Sequence, residues 1–473
     1  MKINKKNYRT MDRRTFIKNT SAAGALTAMP GISIFGNNAE SSEQPNILFI
    51  MTDQQMATAM SHRGNKWLKT PNMDRLAEKG TTFTKAYCPQ PLCGPCRSSM
   101  LTGKYPHEMK ATVNLPEKDG YWGRDVKVMG KIMKKAGYDT GYVGKWHLPI
   151  PVSDIDLHGF DFITNTKRRD WQDASIPADC GDFLKKKRKQ PFFLVASFIN
   201  PHDICEFARG QKLRMDEIET PPPYDQCPPL PDNLEIPEGE PSFVREMHLK
   251  SPKQYPTVGW KDEKWRHYSW AYYRLVEKVD HYVGLVLESL ERNGYLDNTI
   301  IVFTSDHGDG NGSHRLNQKQ ILYEEATNVP FIISHLTKGK ARVNDTSLVN
   351  TGLDLIPTFC DYAGGKQPSE LKGMSAQYGV KGTSLNERKY LFMETEFAEN
   401  AKSFGITGRA VRGDRYKYIV YSKGDNREQL FDLYNDPGEM NDLSDNPDYA
   451  EKKAELIVAL KQWQNETNDQ VNI

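Results

Sequence analysis

The hydrophobic and polar positions of the chain follow a repeated order, in which a short apolar run ends in polar side chains that can bind metals or move protons. Continuous apolar runs of this length are typical of strands that are buried on both faces of a parallel sheet. The runs with this pattern are residues 46–51, 140–144, 192–198 and 299–303. Apolar residues with helical spacing lie between them, at 129–136 and 270–293. The alternation predicts an α/β fold, a large and mostly parallel sheet covered by helices, with the polar residues gathered beyond the carboxyl ends of the strands.

Two regions depart from this order. Residues from about 206 to 265 are rich in proline and poor in apolar runs, which indicates an insertion. The insertion is either a wall or lid over the site or a passive surface segment. After residue 387 the chain shows short strands joined by turns and then a final helix at about 449–464. This pattern predicts a small C-terminal α+β subdomain with an antiparallel sheet at 388–473, following a main domain at 41–387.

Residues 1–40 have the composition of an export signal, a basic segment followed by a weakly apolar one at 21–35. Within the basic segment, residues 13–18 (RRTFIK) resemble the twin-arginine signal, an address that a receptor reads. The alternative is a basic disordered tail. The signal predicts the export machinery as a partner and a periplasmic or secreted location for the mature protein.

The charge balance bears on the class of protein. The chain has 63 Lys plus Arg and 61 Asp plus Glu, and residues 1–40 hold seven of the former and two of the latter. The remainder therefore has 56 basic and 59 acidic residues, a net charge of −3. Nucleic-acid binders usually carry a basic excess, so that class is disfavoured. No stretch reaches the roughly 18 apolar residues of a transmembrane helix, so no membrane span is predicted.

Residues 93–96 form a C-x-x-C sequence, CGPC. On its own the sequence suggests a redox pair of the thioredoxin type, with zinc binding and a structural disulfide as weaker alternatives. These interpretations account for Cys93 and Cys96 but leave Arg97 and the Leu-Thr-Gly at 101–103 without a role. The seven cysteines of the chain are too few for a disulfide scaffold.

The longer segment, residues 93–104 (CGPCRSSMLTGK), resembles the signature C-x-P-[SC]-R-x-x-x-L-T-G of the formylglycine-dependent type I sulfatases, a family of the alkaline-phosphatase-like superfamily. Other segments resemble the family in the expected order over about residues 45–445: 45–53 (PNILFIMTD), 144–148 (GKWHL), 304–309 (TSDHGD), 319–325 (KQILYEE) and 430–439 (LFDLYNDPGE). The resemblance implies an alkaline-phosphatase-like α/β sandwich with a small C-terminal subdomain. It also implies that a maturation enzyme oxidises Cys93 to formylglycine, whereas Cys96 occupies a position where the family allows Ser or Cys.

The resemblance further implies a site for one divalent cation. The side chains that would hold it are Asp53, Gln54, Asp306, His307 and the modified Cys93. Oxygen ligands favour Ca²⁺, with Mg²⁺ as the alternative. The commonest pattern of the family has a second Asp at position 54 and Asn at position 307, so this chain has one ligand charge fewer and a nitrogen ligand. Gln54 has an alternative role as a hydrogen-bonding group at the end of its strand.

The remaining implied roles concern the sulfate group. Arg97 and Lys145 would stabilise the nucleophile and the sulfate oxygens, and His147 would act as a base on the nucleophile. His202 and Lys319 would contact the sulfate and help to protonate the leaving oxygen. The residues that could contact the rest of the substrate are His107, His314 and Arg315.

The predicted function is therefore an exported sulfatase that hydrolyses sulfate esters on sugars derived from a sulfated polysaccharide. One alternative is a phosphonate monoester or phosphodiester hydrolase of the same superfamily, since such enzymes resemble the Gln54 and His307 pattern. A second alternative is a non-catalytic protein that binds sulfated glycans, which would require an unconverted Cys93. The basic residues assigned to the sulfate argue against the second alternative.

Overall fold

The computed structural model describes residues 44–118, 120–164, 172–215, 217–250, 257–382, 388–399 and 401–472. The predicted export signal at 1–40 and the domain boundary predicted at 387 lie outside the described residues.

The described chain alternates strands and helices as the apolar pattern predicts. The strands are β1 (Asn46–Asp53), β2 (Gly80–Phe83), β3 (Ala86–Tyr87), β4 (Asp139–Gly144), β5 (Phe162–Thr164), β6 (Phe192–Pro201), β7 (Thr299–Ser305), β8 (Phe331–Ser334), β9 (Arg342–Asn344), β10 (Val349–Asn350), β11 (Leu391–Glu399), β12 (Lys402–Arg412), β13 (Tyr416–Tyr421) and β14 (Glu428–Asp432). The α-helices are α1 (Pro71–Glu78), α2 (Cys93–Thr102), α3 (Met129–Lys135), α4 (Ile155–His158), α5 (Ile176–Lys185), α6 (Ile204–Ala208), α7 (Ser242–Lys250), α8 (Asp262–Arg292), α9 (Glu324–Thr327), α10 (Leu355–Tyr362), α11 (Gln377–Val380) and α12 (Ala450–Thr467).

The central sheet has the strand order β5-β4-β6-β1-β7-β8-β2-β9 within the described residues. Strands β4, β6, β1 and β7 are neighbours in this sheet and run parallel to one another. They contain the four apolar runs of the sequence, so the predicted α/β fold with a mostly parallel sheet is confirmed. Strand β8 runs antiparallel to both β7 and β2.

Alternate side chains of the central strands pack into two apolar layers, one on each face of the sheet. On one face, Phe49 of β1 packs against Phe359 of α10, with ring centroids 5.4 Å apart. On the other face, Leu48 belongs to the cluster that contains Leu275 and Val279 of α8. Burial on both faces explains why these strands read as continuous apolar runs.

The C-terminal subdomain is an antiparallel sheet in the order β11-β12-β13-β14, which confirms the predicted antiparallel subdomain. Helix α12 packs on it through Leu456, Leu460 and Trp463. A buried ion pair network joins this sheet to the main domain, because Lys417 Nζ lies 3.0 Å from Glu324 Oε1 and 2.8 Å from Glu439 Oε1.

The Pro-rich insertion is packed against the rest of the protein in its described part. The side chain of Asn233 donates hydrogen bonds to Glu325 Oε1 at 2.8 Å and to the Gly438 carbonyl at 3.1 Å. Its predicted end at residue 265 overlaps α8, which begins at Asp262 and not near residue 270. The extension occurs because Trp265 and Tyr268 are buried against the protein and make this turn part of the core. None of the helices in the described ranges is long and apolar enough to cross a membrane.

Candidate active site

The polar residues after the parallel strands meet at one edge of the sheet. Asp53 ends β1, Lys145 follows β4, His202 follows β6 and Asp306 follows β7. Parallel strands bring their carboxyl ends to the same edge, so residues far apart in sequence become neighbours there. Lys145 Nζ donates a hydrogen bond to Asp53 Oδ2, which joins the ends of β1 and β4 directly.

Cys93 is the first residue of α2 and lies in the middle of this group of residues. Its Sγ is 3.2 Å from His307 Nε2, 3.1 Å from Lys319 Nζ and 3.7 Å from Asp53 Oδ1. Burial alone would raise the pKa of the Cys93 thiol, but Lys145, Lys319 and His307 lower that pKa well below its usual value. The electropositive surroundings favour an anionic group at this position.

Four side chains could hold a cation together. Ligand atoms of Asp53, Cys93, Asp306 and His307 all lie within 4.8 Å of one another, and all four residues are buried. Burial and the charge of Asp53 raise the pKa of Asp306 to about 6, because two carboxylates share one buried site. A divalent cation relieves this repulsion, and oxygen donors suit Ca²⁺ or Mg²⁺. The donor set therefore fits the predicted cation.

Gln54 turns into this group through a left-handed backbone conformation, with φ at 72°. Its Oε1 accepts a hydrogen bond from Lys319 Nζ at 2.9 Å, and its Nε2 donates one to Asp309 Oδ2 at 2.7 Å. The Lys319 ammonium can only donate a hydrogen bond, and the Asp309 carboxylate accepts one. These two partners therefore fix which end of the Gln54 amide carries the oxygen. The oxygen of Gln54 thus faces the side on which Cys93 lies.

Arg97 lies one helical turn after Cys93 and connects the two carboxylates. Its Nε donates to Asp306 Oδ2 at 2.8 Å and its Nη2 to Asp53 Oδ2 at 3.1 Å. Its Nη1 donates to the Lys145 carbonyl at 3.0 Å and to Ser197 Oγ at 2.8 Å. Most of the guanidinium is thus engaged with the protein. This arrangement favours a role in holding the ligands over the predicted contact with sulfate oxygens.

His147 and His202 border the cluster. Both are only half-buried, so this side of the cluster is less enclosed. Both lie near Cys93, because the Cys93 side chain acts to raise the pKa of each imidazole. Burial is the main cause that lowers the pKa of both imidazoles, and Lys145 lowers both further. Neutral imidazoles beside Cys93 are suited to accepting or donating a proton there.

Lys319 reaches the cluster from a loop with an unusual backbone. The residues on either side of it, Gln318 and Gln320, have φ of 65° and 74°, in the left-handed region. Residues other than glycine rarely adopt this backbone conformation unless tertiary contacts support it. The support for Gln320 is visible, since its backbone N–H donates to the Pro91 carbonyl at 2.9 Å. The loop that carries Lys319 is therefore tied to the segment that precedes Cys93.

The three residues predicted to contact the rest of the substrate lie elsewhere. His314 is fully buried and its ring stacks on Tyr323 at 4.0 Å, which places it in the packing of its loop. Arg315 forms an ion pair with Glu235 of the insertion at 2.7 Å. His107 Nδ1 is 2.5 Å from Glu394 Oε2, at a cavity formed with the C-terminal subdomain. The structure thus brings none of these three side chains into the contacts it gives for Cys93.

The sequence analysis missed Asp309 and Tyr268. The Asp309 carboxylate accepts hydrogen bonds from Gln54 Nε2 at 2.7 Å, from the backbone N–H of Asn311 at 2.8 Å and from the hydroxyl of Tyr268 at 3.0 Å. Asp309 lies inside the matched segment 304–309 and could be noticed in the sequence. Its partner Tyr268 belongs to helix α8, and no sequence signal links the two.

The cysteines support neither a disulfide nor a bonded redox pair. All seven lie in the described part of the chain as free, buried thiols. Burial and the neighbouring Cys88 raise the pKa of Cys96 well above its usual value, opposite to the change at Cys93. The two cysteines of the C-x-x-C sequence therefore differ in chemical character.

A nucleophilic position at a helix start, two carboxylates that could hold a cation, and surrounding ammonium and imidazole groups define the class of metal-dependent hydrolases that act on anionic esters. Comparison with known proteins gives the family. The model described as Sulfatase matches residues 45–365, and the model described as N-sulphoglucosamine sulphohydrolase, C-terminal matches residues 312–466. The chain belongs to the sulfatase family, whose members hydrolyse sulfate esters.

Individual relatives agree with this assignment. The Delta 4,5-hexuronate-2-O-sulfatase of Bacteroides thetaiotaomicron is 30% identical over 457 residues, which cover 93% of this chain and 92% of the relative. The solved structure of a 2-O GAG sulfatase matches with a TM-score of 0.79 and 29% identity, over 90% of this chain and 93% of that one. The phosphonate monoester hydrolase of Agrobacterium radiobacter matches with a TM-score of 0.73 over 90% of this chain and 97% of that one, but at 21% identity this likeness concerns the fold alone.

Proposed function

We propose that this sulfatase is exported and removes sulfate esters from sugars that are released from a sulfated polysaccharide. The substrate class is supported by a relative described as a hexuronate-2-O-sulfatase and by a solved structure described as a 2-O GAG sulfatase. Export is supported by the twin-arginine-like segment at residues 13–18. Large glycans are met outside the cytoplasm, so the proposed location, periplasmic or secreted, agrees with the proposed substrate.

One observation carries the proposal: the Cys93 side chain lies between a cation-binding group and a set of positive side chains. Its Sγ is 3.1 Å from Lys319 Nζ and 3.2 Å from His307 Nε2. A sulfate ester is an anion, and its hydrolysis needs charge neutralisation, a nucleophile and an acid for the leaving oxygen. All three are available within this one group of residues.

Two groups would complete the chemistry. Formylglycine made from Cys93 by a maturation enzyme would supply, as its hydrate, a nucleophile that can release sulfate and return to the aldehyde. A divalent cation, with Ca²⁺ favoured and Mg²⁺ as the alternative, would supply charge neutralisation at the sulfate. The residues that would hold this cation are Asp53, Gln54, residue 93, Asp306 and His307.

The chain's own residues have separate tasks around this centre. Arg97 fixes Asp53 and Asp306 in place through two hydrogen bonds. His147, whose pKa is influenced by the nearby Cys93, is placed to take a proton from the group at residue 93.

Lys319 contacts Cys93, and His202 lies near enough for Cys93 to influence its pKa. They are placed to bind the sulfate oxygens and to give a proton to the leaving oxygen. Lys145, which pairs with Asp53, adds positive charge near the nucleophile.

The alternative function is hydrolysis of phosphonate monoesters or phosphodiesters, because enzymes of that type also resemble the Gln54 and His307 pattern. Steady-state rates on matched pairs of esters test this choice, for example an aryl sulfate and the corresponding aryl phosphonate and phosphodiester. We expect kcat/KM to be highest for the sulfate, and a clear preference for the phosphodiester would contradict the proposal. Absence of turnover on all esters, with Cys93 unconverted in protein from the native host, would favour a non-catalytic glycan-binding protein.

A further inference from the structure

A polar cavity lies outside the group of residues that contact Cys93. It has a volume of about 300 Å³ and lies between the loop around residues 107–112 and the C-terminal subdomain, whose strands β11 and β12 and residues 468–471 line it. A volume of this size is at the lower end of the range for ligand-binding pockets. The cavity contains His107, which the sequence analysis assigned to substrate contact.

The walls of this cavity are attached to the residues that flank Cys93 and Lys319. The backbone N–H of Glu394 donates to the Pro89 carbonyl at 2.8 Å, and the Thr395 hydroxyl donates to the Gln320 carbonyl at 2.8 Å. These hydrogen bonds fix β11 to the segment before Cys93 and to the residue after Lys319. A group bound in the cavity would therefore lie next to a sugar whose sulfate is at Cys93.

The loop wall is attached in the same way. Asn114 Oδ1 accepts a hydrogen bond from the backbone N–H of Gly94 at 2.8 Å, and Thr112, which lines the cavity, is two residues before Asn114. Two residues of extended chain span about 7 Å. The cavity thus begins within a short distance of the first turn of α2.

The cavity is lined by more acidic than basic side chains. Arg409 binds Asp469 through two hydrogen bonds of 2.8 Å, and His107 pairs with Glu394 at 2.5 Å. Within the described part of the chain, the hydrogen bond given for the Glu396 side chain is the one from the Thr112 hydroxyl. Arg409 also interacts with Glu396, but the lining has three carboxylates, Glu394, Glu396 and Asp469, against one guanidinium and one imidazole, so the cavity has an excess of negative charge.

The chemistry of the cavity selects its ligand. Hydroxyl, amide and carboxylate groups provide hydrogen-bonding partners for the hydroxyl or acetamido groups of a sugar. A carboxylate or sulfate on that sugar would face Glu396 in a cavity that already has an excess of carboxylates and would be repelled.

We propose that this cavity is a binding subsite for the sugar linked to the sulfated one, and that Glu396 restricts it to a sugar without an anionic substituent. This inference rests on the proposed function and adds a specificity to it. It distinguishes the chain from an enzyme that requires an anionic group on both neighbouring sugars.

The test compares two disaccharides that share the same sulfated first sugar. In one, the second sugar is unsubstituted N-acetylglucosamine, and in the other it carries a 6-O-sulfate. The repulsion between two like charges about 4 Å apart in a solvated site corresponds to roughly a fivefold preference for the neutral disaccharide. We expect wild-type kcat/KM to favour the neutral disaccharide by about this factor and Glu396→Gln to remove most of the preference.

A matched control lies on the same strand, because Glu399 ends β11 outside the cavity. Glu399→Gln makes the same change of charge and should keep the wild-type preference. The proposal is overturned if wild type prefers the sulfated second sugar, or if Glu396→Gln and Glu399→Gln discriminate as wild type does.

Binding of the two disaccharides to a Cys93→Ala protein, measured by calorimetry, gives a readout that does not depend on turnover. A preference for the neutral disaccharide that Glu396→Gln removes would support the subsite, even if the active protein released no sulfate and the proposed function failed. Equal binding of both disaccharides would contradict the subsite, even if sulfate release were rapid.

Discussion

Asp309 offers a sharp test of the proposal that Gln54 helps to hold a cation at this site. Its carboxylate holds the Gln54 amide through a hydrogen bond of 2.7 Å, while Lys319 binds the oxygen of the same amide at 2.9 Å. In Asp309→Asn the new amide can donate as well as accept. Lys319 is then the one partner that still selects the orientation of the Gln54 amide, and a reversed amide would present its nitrogen, which is not a cation ligand, toward Cys93.

The structure allows an estimate of the effect. A hydrogen bond to a charged group contributes about 1.5–3 kcal/mol, and this one is buried on both sides. Loss of a group that orients a metal ligand typically weakens metal binding by about 10–100-fold. We therefore expect the dissociation constant for Ca²⁺ to rise by a factor in this range in Asp309→Asn.

Calorimetric titration of Ca²⁺ into metal-stripped protein measures this constant, and the rise in Tm with added Ca²⁺ gives a second readout. Tyr268→Phe is the matched control, because it removes one hydrogen bond to Asp309 but keeps the carboxylate on Gln54. We expect its effect to be smaller. Ca²⁺ affinity of a folded Asp309→Asn protein within about twofold of wild type would refute the reasoning.

Three further predictions concern other parts of the protein. Lys417→Met removes the cation that pairs with the buried Glu439 and the half-buried Glu324, so the free energy of unfolding in denaturant should fall by about 3–5 kcal/mol, and an unchanged midpoint would contradict this. Burial lowers the pKa of His107, but the hydrogen bond to Glu394 outweighs burial, so the pKa of His107 is raised in the folded protein. The stabilisation by this pair is therefore full below the unfolded pKa of 6.5 and is lost as pH rises through the folded pKa. Thermal unfolding should accordingly show a steeper loss of Tm above that pH in wild type than in Glu394→Gln, and parallel profiles would count against the pairing. Cys96→Ser should keep sulfate release whereas Cys93→Ala should abolish it, and a loss of activity in both would instead favour a role for the thiol pair.

Much of the fold could be predicted from the sequence where the local pattern was long. The runs at β1, β4, β6 and β7 were recognisable because both faces of these strands are buried and the apolar run is continuous. Strand β9 has three largely exposed residues and carries no such signal. It pairs with β2 through backbone hydrogen bonds that require the rest of the sheet.

The candidate site was predictable to the extent that motifs marked it. Cys93 begins a helix in which every residue is buried, so the helix has no exposed polar face and no amphipathic periodicity. The sequence motif is therefore the signal that marks this part of the site. Asp53, Asp306 and His307 were recognised in the same way, and the structure brings them together with Cys93.

Contacts that join distant elements left no trace in the local sequence. His314 is five residues from Lys319 along the chain, yet one packs on Tyr323 and the other reaches Cys93, because the left-handed residues between them turn the loop. The role of Glu396 likewise depends on Thr112 from a separate loop. Only the assembled fold places such residues together.

The central claim is that residue 93 becomes the nucleophile of a sulfatase after conversion from cysteine. The direct measurement is a peptide mass spectrum that covers residue 93 in protein purified from the native host. The account predicts a peptide in which an aldehyde, or its hydrate, replaces the thiol of Cys93, while Cys96 remains a thiol. A native protein that releases sulfate from a sulfated sugar yet carries an unmodified thiol at Cys93 in every peptide would contradict it.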